Sequence, residues 1–142
     1  MAIDPPCTRP AATRLGEAVD GEVRDDVHDV VGDEGMYRCL ASFLRLLPER
    51  LESARLAAEA GQRSEAARLL AALRIGSGMF GACHLAGLAG AAEAALRGGR
   101  NGSSSVEWAP LSRHAEVVER ELRRYLDGLG GGHGLGFGPP NR

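Results

Sequence analysis

The stretch Ala66-Ala67-Arg68-Leu69-Leu70-Ala71-Ala72-Leu73-Arg74-Ile75-Gly76-Ser77-Gly78-Met79-Phe80-Gly81-Ala82 decides how the chain is read. It contains no Pro, repeats Leu at spacings of three and four, and ends on a glycine, which predicts a helix stopping at Gly81. Wound at about 100° per residue, it divides into two faces. Ala66, Leu69, Leu70, Leu73, Gly76, Ser77 and Phe80 fall within roughly 60° of Leu73 and form the side expected to face the core. Arg68, Ala71, Arg74, Ile75 and Gly78 gather opposite and are expected to face solvent. A solvated helix face normally carries Glu, Lys, Gln or Arg, whereas here small residues and one Ile sit between two arginines. A partly apolar stripe rimmed by cations reads as a docking surface. A helix that is Ala-rich because the whole chain is Ala-rich gives the same pattern, and composition does not separate the two.

Outward from this helix the pattern stays helical, and no stretch alternates apolar and polar residues over strand length. A short first helix fits Asp20 to Val31, with Val23, Val27, Val30 and Val31 on one stripe, and Gly32-Asp33-Glu34-Gly35 breaks it. A long second helix fits Met36 to Ala60, with Leu40, Phe43, Leu44, Leu47, Leu51, Ala54 and Ala58 inward and a kink expected at Pro48. Gly61-Gln62-Arg63 precedes the helix quoted above, whose expected N-cap is Ser64. A fourth helix fits Cys83 to Arg97, with Leu85, Leu88, Ala92 and Leu96 inward. Beyond the Gly/Ser-rich linker 98–105, a last helix fits Glu107 to Leu126, burying Leu111, Ala115, Val118, Leu122, Tyr125 and Leu126. Short loops between singly striped helices imply antiparallel neighbours. The expected fold is all-α: an up-and-down four-helix bundle over residues 18–127 with a short N-terminal capping helix. Residues 1–17 are expected to be a disordered arm and 128–142 a disordered Gly-rich tail.

The chain has 142 residues, 44% hydrophobic and 25% charged, which fits one globular domain. Seventeen basic residues against nineteen acidic ones give a net charge of −2, without the basic excess of a nucleic-acid binder. Every basic residue is Arg, which we attribute to GC-rich coding, so no Lys offers ammonium or Schiff-base chemistry. No apolar run reaches the ~18–20 residues of a membrane helix, and no secretory leader is seen at Met1-Ala2-Ile3-Asp4-Pro5-Pro6. Cys7, Cys39 and Cys83 form no C-x-x-C pair and suit a reducing cytoplasm, with Cys39 and Cys83 as small core residues. No metal site is expected, because adjacent Cys83 and His84 are the only close Cys/His pair. Gly76-Ser77-Gly78 lacks the Gly-Lys-Ser/Thr ending of a phosphate loop and follows no strand; close helix packing accounts for it.

The segment resembles the histidine-containing phosphotransfer (HPt) family, which passes phosphoryl groups between receiver domains. The family pattern on this helix is His-x-Leu-Lys-Gly followed, further along, by Leu-Gly-Ala. Leu73, Arg74, Gly78, Phe80, Gly81 and Ala82 fill matching places, and Leu85, Leu88, Glu93 and Arg97-Gly98-Gly99 follow in step. Val30-Val31-Gly32-Asp33, Tyr37 to Leu44, Leu51 and Ala60-Gly61 resemble the family's earlier helices, so the likeness covers about residues 18 to 127. In this register the phosphoacceptor position holds Ala71 and the Gly one turn later is Ile75; no shift of one residue recovers a His. Alanine has no nucleophilic atom, and phosphoryl transfer needs an imidazole nitrogen in line with the donor.

What the resemblance implies is a module that keeps the scaffold and lacks the chemistry. It would dock a response-regulator receiver domain or a sensor histidine kinase through Arg68, Ala71, Arg74, Ile75 and Gly78, with Arg74 in place of the family's Lys. His28, His84, His114 and His133 are read as ordinary surface or half-buried histidines, none with an acidic partner spaced to orient it. No enzyme activity, cofactor, nucleic acid or membrane is expected, and the protein is expected to be a cytoplasmic monomer. Two alternatives remain at this point: a phosphotransfer protein carrying a His-to-Ala replacement at 71, and a plain helical scaffold whose likeness ends at the fold.

Overall fold

A computed structural model of the protein describes residues 18–98 and 106–132. Its helices are α1 (Gly21–Glu59), α2 (Arg63–Met79), α3 (Cys83–Gly98) and α4 (Trp108–Gly132), with no strand among the described residues. Each helix packs on the next in chain order and α4 closes back on α1, which is the expected up-and-down bundle. The arm 1–17, most of the linker and residues 133–142 of the tail lie outside the described residues.

α1 contains both of the first two expected helices. Asp20, 6% exposed, caps it by accepting hydrogen bonds from the amides of Glu22 at 3.0 Å and Val23 at 3.4 Å. The short capping helix ends at Gly32, whose φ of 79° and ψ of 174° are the one non-helical pair inside α1. The break therefore falls at Gly32, where a missing Cβ makes that φ accessible, and Pro48 keeps helical dihedrals. The four-valine stripe is only half correct. Val23 is buried and Val27 packs on the core, but Val30 and Val31 are 85% and 39% exposed, on a turn that meets α4 through His28 instead.

Every predicted inward residue of the long helix, Leu40 through Ala58, is buried. So are Leu85, Ala92 and Leu96 on α3 and Leu111, Ala115, Val118, Leu122 and Leu126 on α4; Leu88 and Tyr125 are half-buried. Cys39 is exposed rather than in the core, since it falls off the Leu40–Leu44–Leu47 stripe, and Cys83 is half-buried and disulfide-bonded. α4 continues through Gly128 to Gly132, into the stretch assigned to the tail, because buried Leu129 extends its apolar stripe one turn past Leu126.

Two turns set the register of α2. After α1, the amide of Gln62 donates to Ala57 O at 2.8 Å and that of Gly61 to Ala58 O at 3.1 Å, with Gly61 at φ 81°. After α2, Ala82 donates to Ser77 O at 2.8 Å and Gly81 to Gly78 O at 3.2 Å, with Gly81 at φ 84°. Both are Schellman ends, in which a left-handed glycine lets two amides satisfy the last free carbonyls. The first leads straight into Arg63, so Gln62, without a side-chain cap bond, holds the N-cap place expected for Ser64. Arg63 instead caps its neighbour, donating Nε and Nη2 to Leu96 O near the end of α3 at 3.1 and 2.8 Å.

At Gly81 the chain is also crossed. The amide of Asp20 donates to Gly81 O at 2.7 Å, and a Cβ on Gly81 would lie 2.4 Å from Asp20 O. The same strap reaches α4, where the amide of buried Ala18 donates to the Glu121 carboxylate at 3.0 and 3.1 Å. A Cβ on Gly76 would sit 2.8 Å from the Phe43 ring, so the ring of α1 packs directly on the bare backbone of α2 there. Between α3 and α4, His84 and His114 meet edge to face with centroids 4.6 Å apart. His114 Nε2 is buried without a hydrogen-bond partner.

Gly81→Ala combines a forbidden φ with a backbone clash and is expected to cost about 3 kcal/mol. Gly87→Ala, at an exposed helical site where a Cβ meets nothing within 4 Å, is expected to add up to about 1 kcal/mol. Urea unfolding of the two variants beside the wild type checks both signs. The pKa of His114 is held below its ordinary 6.5 by burial first and His84 second, with Glu121 acting the other way. Well above pH 6.5 it is neutral folded or unfolded and contributes no pH dependence. As pH falls below that, the unfolded chain takes a proton the folded chain refuses, so stability drops until the folded pKa is passed. Thermal unfolding between pH 7.5 and 5 is expected to show this loss, and His114→Leu to flatten it.

Candidate docking site on α2 and α3

The outward stripe of α2 exists, with one correction. Arg68, Arg74 and Ile75 are exposed, Ile75 by 58%, but Ala71 and Gly78 are half-buried rather than fully in solvent. Both lie on the flank of α2 that turns toward α3, the flank from which Arg74 reaches across. A Cβ on Gly78 would meet nothing within 4 Å, so neighbouring side chains do not require a glycine there. Met79, one turn after Ile75 and 42% exposed, extends the apolar part of the stripe. Its four-residue spacing from Ile75 is the sequence signal that places it on the same stripe.

The two cations of the stripe are held differently. Arg68 donates to Glu65 one turn earlier on the same helix, at 3.0 and 2.5 Å, and both side chains are exposed. Pairs of this kind exchange readily with water. Arg74 instead crosses to α3. Its Nε donates to Glu93 Oε1 at 2.9 Å, while the Nε of Arg97 donates to Glu93 Oε2 at 3.1 Å. The Arg74 stem lies flat over Gly90, where an added Cβ would come within 3.2 Å of its Cδ. The Glu93 side chain is 14% exposed; burial pushes its carboxyl pKa up, but hydrogen bonds from Arg74 and then Arg97 pull it further down, and the net shift is downward. Glu93 is therefore a carboxylate at neutral pH, shared by two guanidiniums.

Gly90, Glu93 and Arg97 were not assigned to the stripe from sequence. The Glu93–Arg97 spacing of four is visible there, but the contact from Arg74, nineteen residues away, depends on how α2 and α3 pack.

None of the histidines lies on α2. His28 does have an acidic partner, contrary to expectation: its Nε2 bonds Asp33 across the Gly32 break at 2.5 Å. Its Nδ1 bonds the Tyr125 hydroxyl at 2.5 Å, and the Arg24 guanidinium lies 4.0 Å above the Tyr125 ring. With both ring nitrogens engaged, His28 is a clasp between α1 and α4. His84 is exposed and His114 half-buried at the α3–α4 contact, and His133 falls outside the described residues. Ser77, at the centre of Gly76-Ser77-Gly78, is fully buried within α2, so this segment offers no phosphate loop. Among the described residues no three metal-ligating side chains cluster, and no helix is long and apolar enough to cross a membrane.

Comparison with known proteins gives one match. The family model of the Hpt domain aligns with residues 38–132, from the long part of α1 through α4, leaving the short capping helix outside. No curated protein and no solved structure matches the chain. A bundle of this topology, with the Gly81-Ala82 turn closing its second helix and the family match spanning most of its length, places the chain in the Hpt domain family of phosphorelay modules.

Proposed function

We propose that this protein docks a receiver domain of a two-component phosphorelay and carries no phosphoryl group itself. What supports the reading is the register of the resemblance, which puts Ala71 at the family's acceptor place on α2, beside an exposed Ile75 and an Arg74 held by Glu93. A methyl group cannot attack an aspartyl phosphate, so the chain has no group at that place to accept the transfer. The side chain one turn later is bulky and apolar where the family keeps Gly, which suits standing contact better than brief in-line approach. Arg74 keeps the cation that pairs with a receiver's acidic pocket, and Arg can do so through two parallel hydrogen bonds. Such a module acts by occupancy, competing with a true phosphotransfer protein or holding a regulator in one state. It acts as a monomer, needs no cofactor and is not an enzyme, and the disulfide at Cys83 removes the cysteine argument for a reducing cytoplasm.

Receiver domains from the same genome, titrated against the wild-type chain, are expected to include at least one that binds, and Arg74→Glu is expected to weaken it by about tenfold or more. Equal binding by the charge-reversed variant overturns this surface. Incubated with a phosphorylated receiver, the wild type is expected to take no label. Ala71→His alone is expected to stay unlabelled while Ala71→His with Ile75→Gly gains label. Prompt labelling of the single revertant would instead mark a transfer protein that has lost one group.

A further inference from the structure

Arg97 belongs to no site described so far, yet it shares a carboxylate with Arg74. We infer that Arg97 is a second docking residue, and that Glu93 positions Arg74 and Arg97 as a fixed pair for two carboxylates of a receiver's acidic pocket. This rests on the docking reading above and deepens it.

Three observations support the pair. First, Glu93 meets both arginines through Nε only, at 2.9 and 3.1 Å, and neither arginine's Nη groups hydrogen-bond any other described residue. A guanidinium held by Nε keeps both Nη groups free, and these are the atoms that form a fork around a carboxylate. Second, Arg74 and Arg97 are 43% and 52% exposed while Glu93 is 14% exposed, so the anion lies beneath and the cations above it. An acid meeting this surface from outside reaches the guanidiniums before it reaches Glu93. Third, Arg74 is fixed twice, by Glu93 at its Nε and by Gly90 under its stem. A free arginine loses much rotamer freedom on binding, and one already held loses less.

The charge balance separates positioning from simple competition. Two arginines over one glutamate leave one net positive charge. If Glu93 merely competed with the partner, removing its charge would tighten binding. If it positions the pair, removing it loosens the arginines and weakens binding even though the surface becomes more positive. The two accounts predict opposite signs for Glu93→Gln.

The test uses the full chain in two arms. In the first, ¹⁵N NMR follows the Arg74 and Arg97 Nε–H signals. Both are expected to be dispersed and slow to exchange in the wild type and to collapse in Glu93→Gln. Titration with succinate, a plain dicarboxylate, is expected to shift both, and Arg97→Gln to remove the effect at Arg74. Signals that are already averaged in the wild type, or a succinate response at Arg74 that ignores Arg97, overturn the pair. The second arm measures affinity for the receiver found to bind the wild type. Glu93→Gln and Arg97→Gln are each expected to weaken it roughly tenfold at physiological salt, the weight of one charge-assisted hydrogen bond. Tighter binding by Glu93→Gln, or unchanged binding by Arg97→Gln, overturns the inference while leaving the Arg74 docking reading in place. If the NMR arm succeeds and no receiver binds the wild type, the docking reading fails and the fixed pair stands as a carboxylate site.

Discussion

The backbone at Gly81 holds the arrangement together. Three constraints meet on this one residue: a left-handed φ of 84°, the Schellman bonds that end α2, and the Asp20 backbone lying where a side chain would be. The turn fixes where α3 starts relative to α2, and so which residues of the two helices share a face. It also anchors the strap from Ala18 to Asp20, which runs on to Glu121 and so ties α4 to the same end of the bundle. A Cβ would disturb all of these together, because backbone atoms cannot move aside as a flexible side chain can.

From that turn follows the charged surface. α2 and α3 pack side by side, and at Gly90 the absence of a side chain lets Arg74 lie across α3 and reach Glu93. The stripe first drawn on one helix is thus a surface of two. Its apolar part, Ile75 and Met79, comes from α2 alone, while its electrostatics come from residues on both sides of the groove. The contrast with Arg68 is instructive. Arg68 and Arg74 looked alike as two cations rimming one stripe, yet one is paired with an exposed neighbour on its own helix and the other with a largely covered carboxylate on the next.

The fold was legible because its signals are local. Leucine spacing located the stripes, and glycines at 61 and 81 marked the ends of α1 and α2 since a left-handed cap needs no partner to be recognised. The errors came where distant contacts override local preference. Ser64 is a good capping residue by type, but the Gly61 turn starts the helix two residues earlier, with Gln62 at the N-cap. Val30 and Val31 continue a valine stripe, but the helix breaks at Gly32 and their turn meets α4 through His28, leaving both valines exposed. The Gly-rich stretch after Leu126 looked incapable of helix, yet Leu129 finds a buried place and carries α4 to Gly132. The candidate site followed the same division: the exposure of Arg68, Arg74 and Ile75 could be read from one helix, whereas the partial cover of Ala71 and Gly78, the link from Arg74 to Glu93 and the bond of His28 to Tyr125 exist only once the helices are packed.

The strap across Gly81 has a mechanical consequence. The polypeptide enters the bundle by lying against the hairpin that ends α2, three residues past Gly78. Tension entering the described chain at Ala18 would therefore be borne by the Ala18–Glu121 and Asp20–Gly81 bonds, loading the end of α2 before reaching the leucine core. Anything fused or bound ahead of Ala18 would have its leverage next to the stripe, while the far end of the bundle, where Arg63 caps α3, stays undisturbed.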